Sequence, residues 1–228
     1  AKLSNGITFP FATWICTPNA YMNDLGSKQV RYNGYQELAY THPNRFTPNP
    51  QALAECGLSE GERFSVLRFV SWGASHDVGQ LGLSDDDKLT LVRSLREHGK
   101  VLITSETPLP AELEPYKVRV SPTRIHDLLY YANLYIGEGA TMASEAAQFG
   151  TPSIYINTLM CGTINEQSRE YGLVEHHTIG KEAVQAALRL ASEPDQKQVH
   201  QQRRQRMLAE KIDVTAWMVE LVEGLAKQ

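Results

Sequence analysis

From about Phe64 onward, short runs of β-branched and aromatic residues alternate with segments of helical period. That alternation restricts the chain to βαβ units around a parallel sheet flanked by helices, an α/β fold. The runs 65–70, 100–104, 116–120, 133–136, 153–157 and 173–175 predict the strands. Between the first two, Ser84 predicts an N-cap followed by Asp85, Asp86 and Asp87, carboxylates that suit the positive end of a helix dipole. Leu89, Val92 and Leu95 then share a face, and Gly99 closes the helix. Ser121-Pro122 opens a second helix through Ile125, Leu128 and Leu129, and a third runs from near Ala140 to Gly150.

The 228 residues allow one large domain, or one domain plus a fragment. At 42% hydrophobic and 21% charged, the chain carries enough apolar material for a core. Residues 51–194 form the predicted α/β domain. Residues 195–228, with Met207, Ile212, Val214, Trp217, Val219 and Leu221, predict one or two helices packing back over a neighbour. Residues 30–50 hold many breakers among Tyr32, Tyr35 and Tyr40 and read as a linker, aromatic enough to make an interdomain contact. Residues 1–29 read as the tail of another unit. The chain starts at Ala1 and enters an apolar stretch at 7–14 with no preceding partner strand, so more chain upstream is expected.

A formal net charge of −4 argues against nucleic acid as a partner. The run Arg203-Arg204-Gln205-Arg206 reads as a solvated helix face, with a peripheral contact to an anionic membrane surface as the alternative. Cys16, Cys56 and Cys161 are odd in number and far apart, which suits a reducing cytoplasm better than a disulfide framework or zinc site. No apolar run reaches the ~18–20 residues of a spanning helix.

In an open parallel sheet, ligands bind beyond the carboxyl ends of the strands. Two loops there draw attention. The first, after the strand at 65–70, contains Trp72, Gly73, Ser75, His76 and Asp77. Its small residues let backbone amides approach a ligand, and His76 with Asp77 could contact phosphate or transfer protons, or be a capped loop histidine and nothing more. The second, Gly137-Glu138-Gly139-Ala140-Thr141, opens a helix, where unpaired amides and the dipole favour an anion. It lacks a P-loop lysine and the G-x-G-x-x-G spacing. Ala140 and Thr141 could still bind phosphate, and Glu145, one turn on, could accept from ribose hydroxyls or be an exposed helix carboxylate.

Gly137 through Thr141, Ser144-Glu145-Ala146-Ala147 and Phe149-Gly150-Thr151-Pro152 resemble the nucleotide-binding motif of GT-B proteins, in particular the non-hydrolysing UDP-N-acetylglucosamine 2-epimerases. The segments 31–40, 71–79 and 125–132 resemble a little-characterised GT-B-like family, domain-of-unknown-function family 354, over nearly the whole chain. The resemblance implies Rossmann-like domains facing across a cleft, with this chain holding the carboxyl-terminal half, the linker and a remnant of the amino-terminal domain, most of which is missing. By that likeness Ala140 and Thr141 match a diphosphate-binding glycine pair and Glu145 a ribose-binding glutamate, with Gly139 and Ser144 beside them. It implies a glycosyltransferase of surface polysaccharide or glycolipid synthesis, working in the cytoplasm or at the inner membrane surface, with a UDP-type sugar as substrate and no cofactor. An epimerase-like isomerase and a non-catalytic nucleotide-binding module are the alternatives.

The start of the second helix adds Ser121, Ile125 and His126 as nucleotide-binding candidates, although helix capping explains the neighbouring Asp127 equally well. Trp72, Tyr130 and Tyr131 read as packing residues. His176-His177 lacks a third ligand at a supporting spacing, so a solvated loop is expected there and no metal site.

Overall fold

A strand buried on both faces is apolar along most of its length, and the inner runs of the sheet, such as Leu134–Gly137 and Ser153–Ile156, are buried throughout. The computed structural model describes residues 2–71 and 82–226. The chain opens with α1 (Lys2–Thr8) and β1 (Ile15–Pro18), which pairs in parallel with β2 (Gln29–Tyr32). Two short helices, α2 (Leu38–Thr41) and α3 (Gln51–Glu55), lead to β3 (Phe64–Phe69). Then follow α4 (Asp85–Leu95), β4 (Lys100–Ser105), α5 (Ile125–Tyr131), β5 (Leu134–Gly137), α6 (Ala140–Gln148) and β6 (Ser153–Ile156). The chain continues through α7 (Gly162–Arg169), β7 (Val174–His177), α8 (Gly180–Ser192), α9 (Gln196–Glu210) and α10 (Val214–Ala226). None of the described helices is long and apolar enough to cross a membrane.

The main sheet has five parallel strands in the order β4-β3-β5-β6-β7. Alternation sorts its side chains into two cores. Phe64, Val66, Leu102, Tyr135 and Tyr155 join the cluster with α5, α6 and α7 residues. Leu67, Phe69, Ile103, Ile136 and Ile154 join the cluster with α4 and α8. The chain leaves β3 on one side to form β4 and returns on the other to form β5. Winding therefore reverses at β3, and the crevice at the carboxyl ends of β3 and β5 is where such sheets take ligands.

The signals at Ser84 and Gly150 hold, whereas Ser121-Pro122 begins a 3-10 turn with α5 starting at Ile125, and Gly99 lies beyond the Arg96 C-cap of α4. Ser84 Oγ accepts the Asp87 amide at 3.1 Å, with three aspartates in the first turn of α4. Gly150 ends α6 at φ +69°, a left-handed conformation that glycine adopts without strain.

Other expectations need correction. Residues 116–120 do not form a strand: Lys117 makes one isolated bridge to Ile103, after a 3-10 turn containing Pro115 and before Pro122. Val118 and Val120 are partly buried against the core without a ladder, which accounts for their strand-like alternation. His176 and His177 belong to β7 rather than a loop, because they pair with Tyr155 and Ile156 of β6. The boundary drawn at 29/30 falls inside β2.

Residues 30–50 pack onto the domain, with Tyr35 and Leu38 fully buried and Tyr32 against Trp217 of α10 at 4.9 Å between centroids.

The 203–206 run is not a plain solvated face. Arg203 Nη1 donates to Gly172 O just beyond α7, and Arg204 Nε donates to Gln148 O at the end of α6, each at 2.6 Å. Gln201 Nε2 reaches Phe149 O at 2.8 Å, and Lys197 Nζ reaches Tyr130 O and Ala132 O at the end of α5 at 2.6 and 2.8 Å. One helix thus supplies donors to the carbonyl ends of α5 and α6, the groups a helix cannot satisfy itself, and to the turn after α7.

Candidate functional site

The loops after β3, β4, β5 and β6 and the start of α5 enclose a cleft of about 790 Å³. It lies at the reversal of winding. Its floor is the start of α6. Gly139 occupies the N-cap position without a side-chain cap, and the first turn carries no acidic residue. The Ala143 amide already bonds to Gly139 O at 3.2 Å, while those of Ala140, Thr141 and Met142 precede it and have no intrahelical acceptor. A Cβ on Gly139 would meet Val70 Cγ1 at 3.7 Å, an ordinary contact, so packing does not demand glycine there.

Glu145 lies one turn further along α6 and is only 6% exposed. Tyr40 Oη donates to its Oε1 at 2.7 Å, and His126 Nε2 lies 3.2 Å from the same oxygen. The Tyr40 and His126 rings stack with centroids 5.4 Å apart. Burial, then the bond to Glu145, holds the Tyr40 phenol above its ordinary range, so it remains a proton donor.

Two further carboxylates shape the rim. Glu138, 2% exposed, accepts the Val70 amide on Oε2 at 3.0 Å and the Leu83 amide on Oε1 at 2.9 Å. Burial raises its pKa, and those two amides oppose the rise. Val70 follows β3 and Leu83 precedes α4, so one side chain ties together both sides of the intervening loop. Glu106 pairs with Arg68 and accepts the Ser71 amide at 3.1 Å. The Ser71 amide and then its hydroxyl, with Arg68, hold Glu106 below the usual carboxylate range, against a desolvation cost.

Of the residues expected at the site, Gly139, Ala140, Thr141, Glu145, Ile125 and His126 come together in this cleft. Ser144 does not: it is buried behind α6, where its Oγ accepts Gln148 Nε2 at 2.9 Å and Gln167 Nε2 at 2.8 Å. Ser121 is exposed, with its hydroxyl 2.9 Å from that of Thr123, and is not among the lining residues. Asp127 accepts the Asn49 amide at 2.7 Å, fixing the 40s segment to α5. Gly73, Ser75, His76 and Asp77, with Trp72, lie outside the described residues. No group of three or more His, Cys, Asp or Glu residues is placed to hold a metal ion among the described residues.

Sequence reasoning missed Tyr40, Arg68, Glu106 and Glu138. Tyr40 sits in a stretch without period, 105 residues from its partner Glu145. Glu138 was visible, since it stands between two glycines of the very loop that drew attention.

No curated protein matches the chain. Solved structures do, at the level of fold. The spinosyn forosaminyltransferase SpnP matches with a TM-score of 0.53 and 16% identity over 93% of this chain and 55% of its own. The glycosyltransferase SnogD from Streptomyces nogalater matches with 0.52 and 16% over 85% of this chain and 55% of its own. The glycosyltransferase VinC, solved in complex with dTDP, matches with 0.51 and 16% over 80% of this chain and 45% of its own. The chain therefore spans about half the length of these structures, and its parallel sheet with flanking helices is the fold of half a GT-B glycosyltransferase. The family model described as protein of unknown function DUF354 matches residues 1–227, and the chain belongs to that family.

Proposed function

We propose that this chain carries the donor site of a nucleotide-sugar-dependent glycosyltransferase acting in surface polysaccharide or glycolipid synthesis in the cytoplasm. The observation that carries the reading is the open start of α6 facing the cleft, with Glu145 one turn beyond. Unpaired amides at Ala140, Thr141 and Met142 offer donors to a diphosphate, and the helix dipole adds to them. In group transfer the diphosphate is the leaving group, and donors fixed in place stabilise its developing charge without reorganisation. Glu145 accepts hydrogen bonds and repels phosphate, so it suits the ribose end of the ligand.

His76 and Asp77 are the proposed proton-transfer pair, in the segment whose flanks Glu138 ties together. The rest of the catalytic cleft is assigned to an amino-terminal Rossmann-like domain, a role consistent with the half-length match.

Calorimetric titration of the chain with UDP, UDP-N-acetylglucosamine, GDP and CMP tests the reading. We expect selective binding of one nucleotide class and a loss of about 1–3 kcal/mol in Glu145→Ala. Unchanged affinity in that variant, or no binding by the folded wild type, overturns it.

A further inference from the structure

We propose that Tyr40 is a positioning residue which, together with His126, presents Glu145 to a pair of sugar hydroxyls and thereby gives the site its preference for ribonucleotides over deoxyribonucleotides. This rests on the nucleotide reading above and adds to it what selects the sugar of the nucleoside.

The hydrogen bond that holds Glu145 and the ring that approaches it both fall on one atom. Tyr40 Oη donates to Oε1 at 2.7 Å and His126 Nε2 approaches the same Oε1 at 3.2 Å. Oε2 has no hydrogen bond among the described residues, and Glu145 lines the cleft. A carboxylate held by one oxygen is restricted in its rotation about the last bond, which biases where its second oxygen stands before a ligand arrives. An ionised carboxylate only accepts, so the group it reads must be a donor. On a nucleoside diphosphate the donors next to the phosphates are the ribose hydroxyls. The spacing agrees with this order: Glu145 stands about 6 Å along the helix axis from Thr141, whose amide faces the phosphate site.

The arrangement is not one that packing alone requires. Tyr40 is 40% exposed, so its hydroxyl could be satisfied by water. It reaches Glu145 from a segment 105 residues away, and its ring lies flat on His126. His126 is fixed in turn by Phe46 and Phe149, at 6.3 and 5.9 Å between centroids. The pair therefore acts as a brace of fixed geometry behind one oxygen of the carboxylate.

Tyr40→Phe keeps the ring on His126 and removes only the hydroxyl. The test compares UDP and GDP, each against its 2′,3′-dideoxy form, by titration of the wild type, Tyr40→Phe and Glu145→Gln. For the nucleotide that binds, the wild type is expected to prefer the ribo form by about tenfold or more, the worth of a charge-assisted hydrogen bond. Tyr40→Phe is expected to narrow that ratio to under about threefold, with the ribo form weakened more than the dideoxy form and the melting midpoint lowered by the loss of a bond to a buried carboxylate, and Glu145→Gln to lose the preference as well. A ratio in Tyr40→Phe equal to that of the wild type overturns the proposal, as does an equal weakening of both forms, which would mark a structural role. Equal binding of ribo and dideoxy forms by the wild type also overturns it while the nucleotide reading stands. Binding of neither form by the folded wild type removes both.

Discussion

Helices α4 and α6 each follow a strand of the main sheet, yet their amino ends are built in opposite ways. At α4, Ser84 caps the Asp87 amide and three aspartates occupy the first turn. At α6, a glycine stands at the N-cap, no side chain caps it and no acid follows. The first helix neutralises its own dipole. The second leaves its dipole and three amides to the cleft, at a cost in helix stability that a bound anion would recover. Helix α7 begins as α6 does, without a side-chain cap or an acid in its first turn, so what matters at α6 is that its open end, Gly139 to Met142, lines the cleft.

Glu138 connects the two ends. It immediately precedes Gly139, the N-cap of α6, and its carboxylate holds Leu83, the residue before the N-cap of α4. The closed end is thus anchored from the doorstep of the open one.

Making α6 resemble α4 is the strongest way to break the comparison. Thr141→Asp places a carboxylate in the first turn of α6, and we expect nucleotide diphosphate affinity to fall by about a hundredfold or more through like-charge repulsion. The same change should stabilise the free protein slightly, by about 0.3–1 kcal/mol, so titration and thermal melting move in opposite directions. A parallel loss in both would mean that Thr141 matters for packing alone. Removing the link between the two ends comes next. Glu138→Gln replaces one accepting oxygen with a donor, and a loss of about 1.5–3 kcal/mol in stability is expected, since both bonds involve a buried charged acceptor. Hydrogen exchange should speed at the Val70 or Leu83 amide, and protection retained at both would show that the carboxylate is not the tie. Ser84→Ala has the smallest effect: α4 loses its cap and about 1 kcal/mol, while nucleotide affinity holds. A fall in affinity there would show that the α4 end also serves the ligand.

Much of the sheet was legible because burial on both faces leaves a continuous apolar signature, and five of the six expected runs are strands. The sixth, 116–120, has the alternation of a strand because Val118 and Val120 pack inward, but prolines on either side stop it from forming a ladder. Half of the cleft was legible for a similar reason: Gly139, Ala140, Thr141 and Glu145 are close in sequence and obey helix geometry. Tyr40 was not, because its place beside Glu145 depends on a tertiary contact across 105 residues, which no local period encodes. Ser144 was misjudged because the helix face it shares with Gln148 turns toward Gln167 rather than the cleft. Arg203 and Arg204 misled in the same way, since charge in a sequence does not reveal that its partners are backbone carbonyls, whereas Arg206 is the exposed helix residue expected, paired with Glu210 one turn on.

The donors that α9 extends to α5, α6 and α7 bear on how the layer assembles. Each of those helices is short, and a short helix is marginal by itself. Lys197 reaches carbonyls 67 and 65 residues back along the chain, and Arg204 one that lies 56 residues back. The final turns of α5 and α6, and the turn that follows α7, thus depend on a segment made after all of them. They should mature together, when α9 docks, and loosen together when it leaves, so that the floor of the cleft belongs to a single cooperative unit rather than to three independent helices.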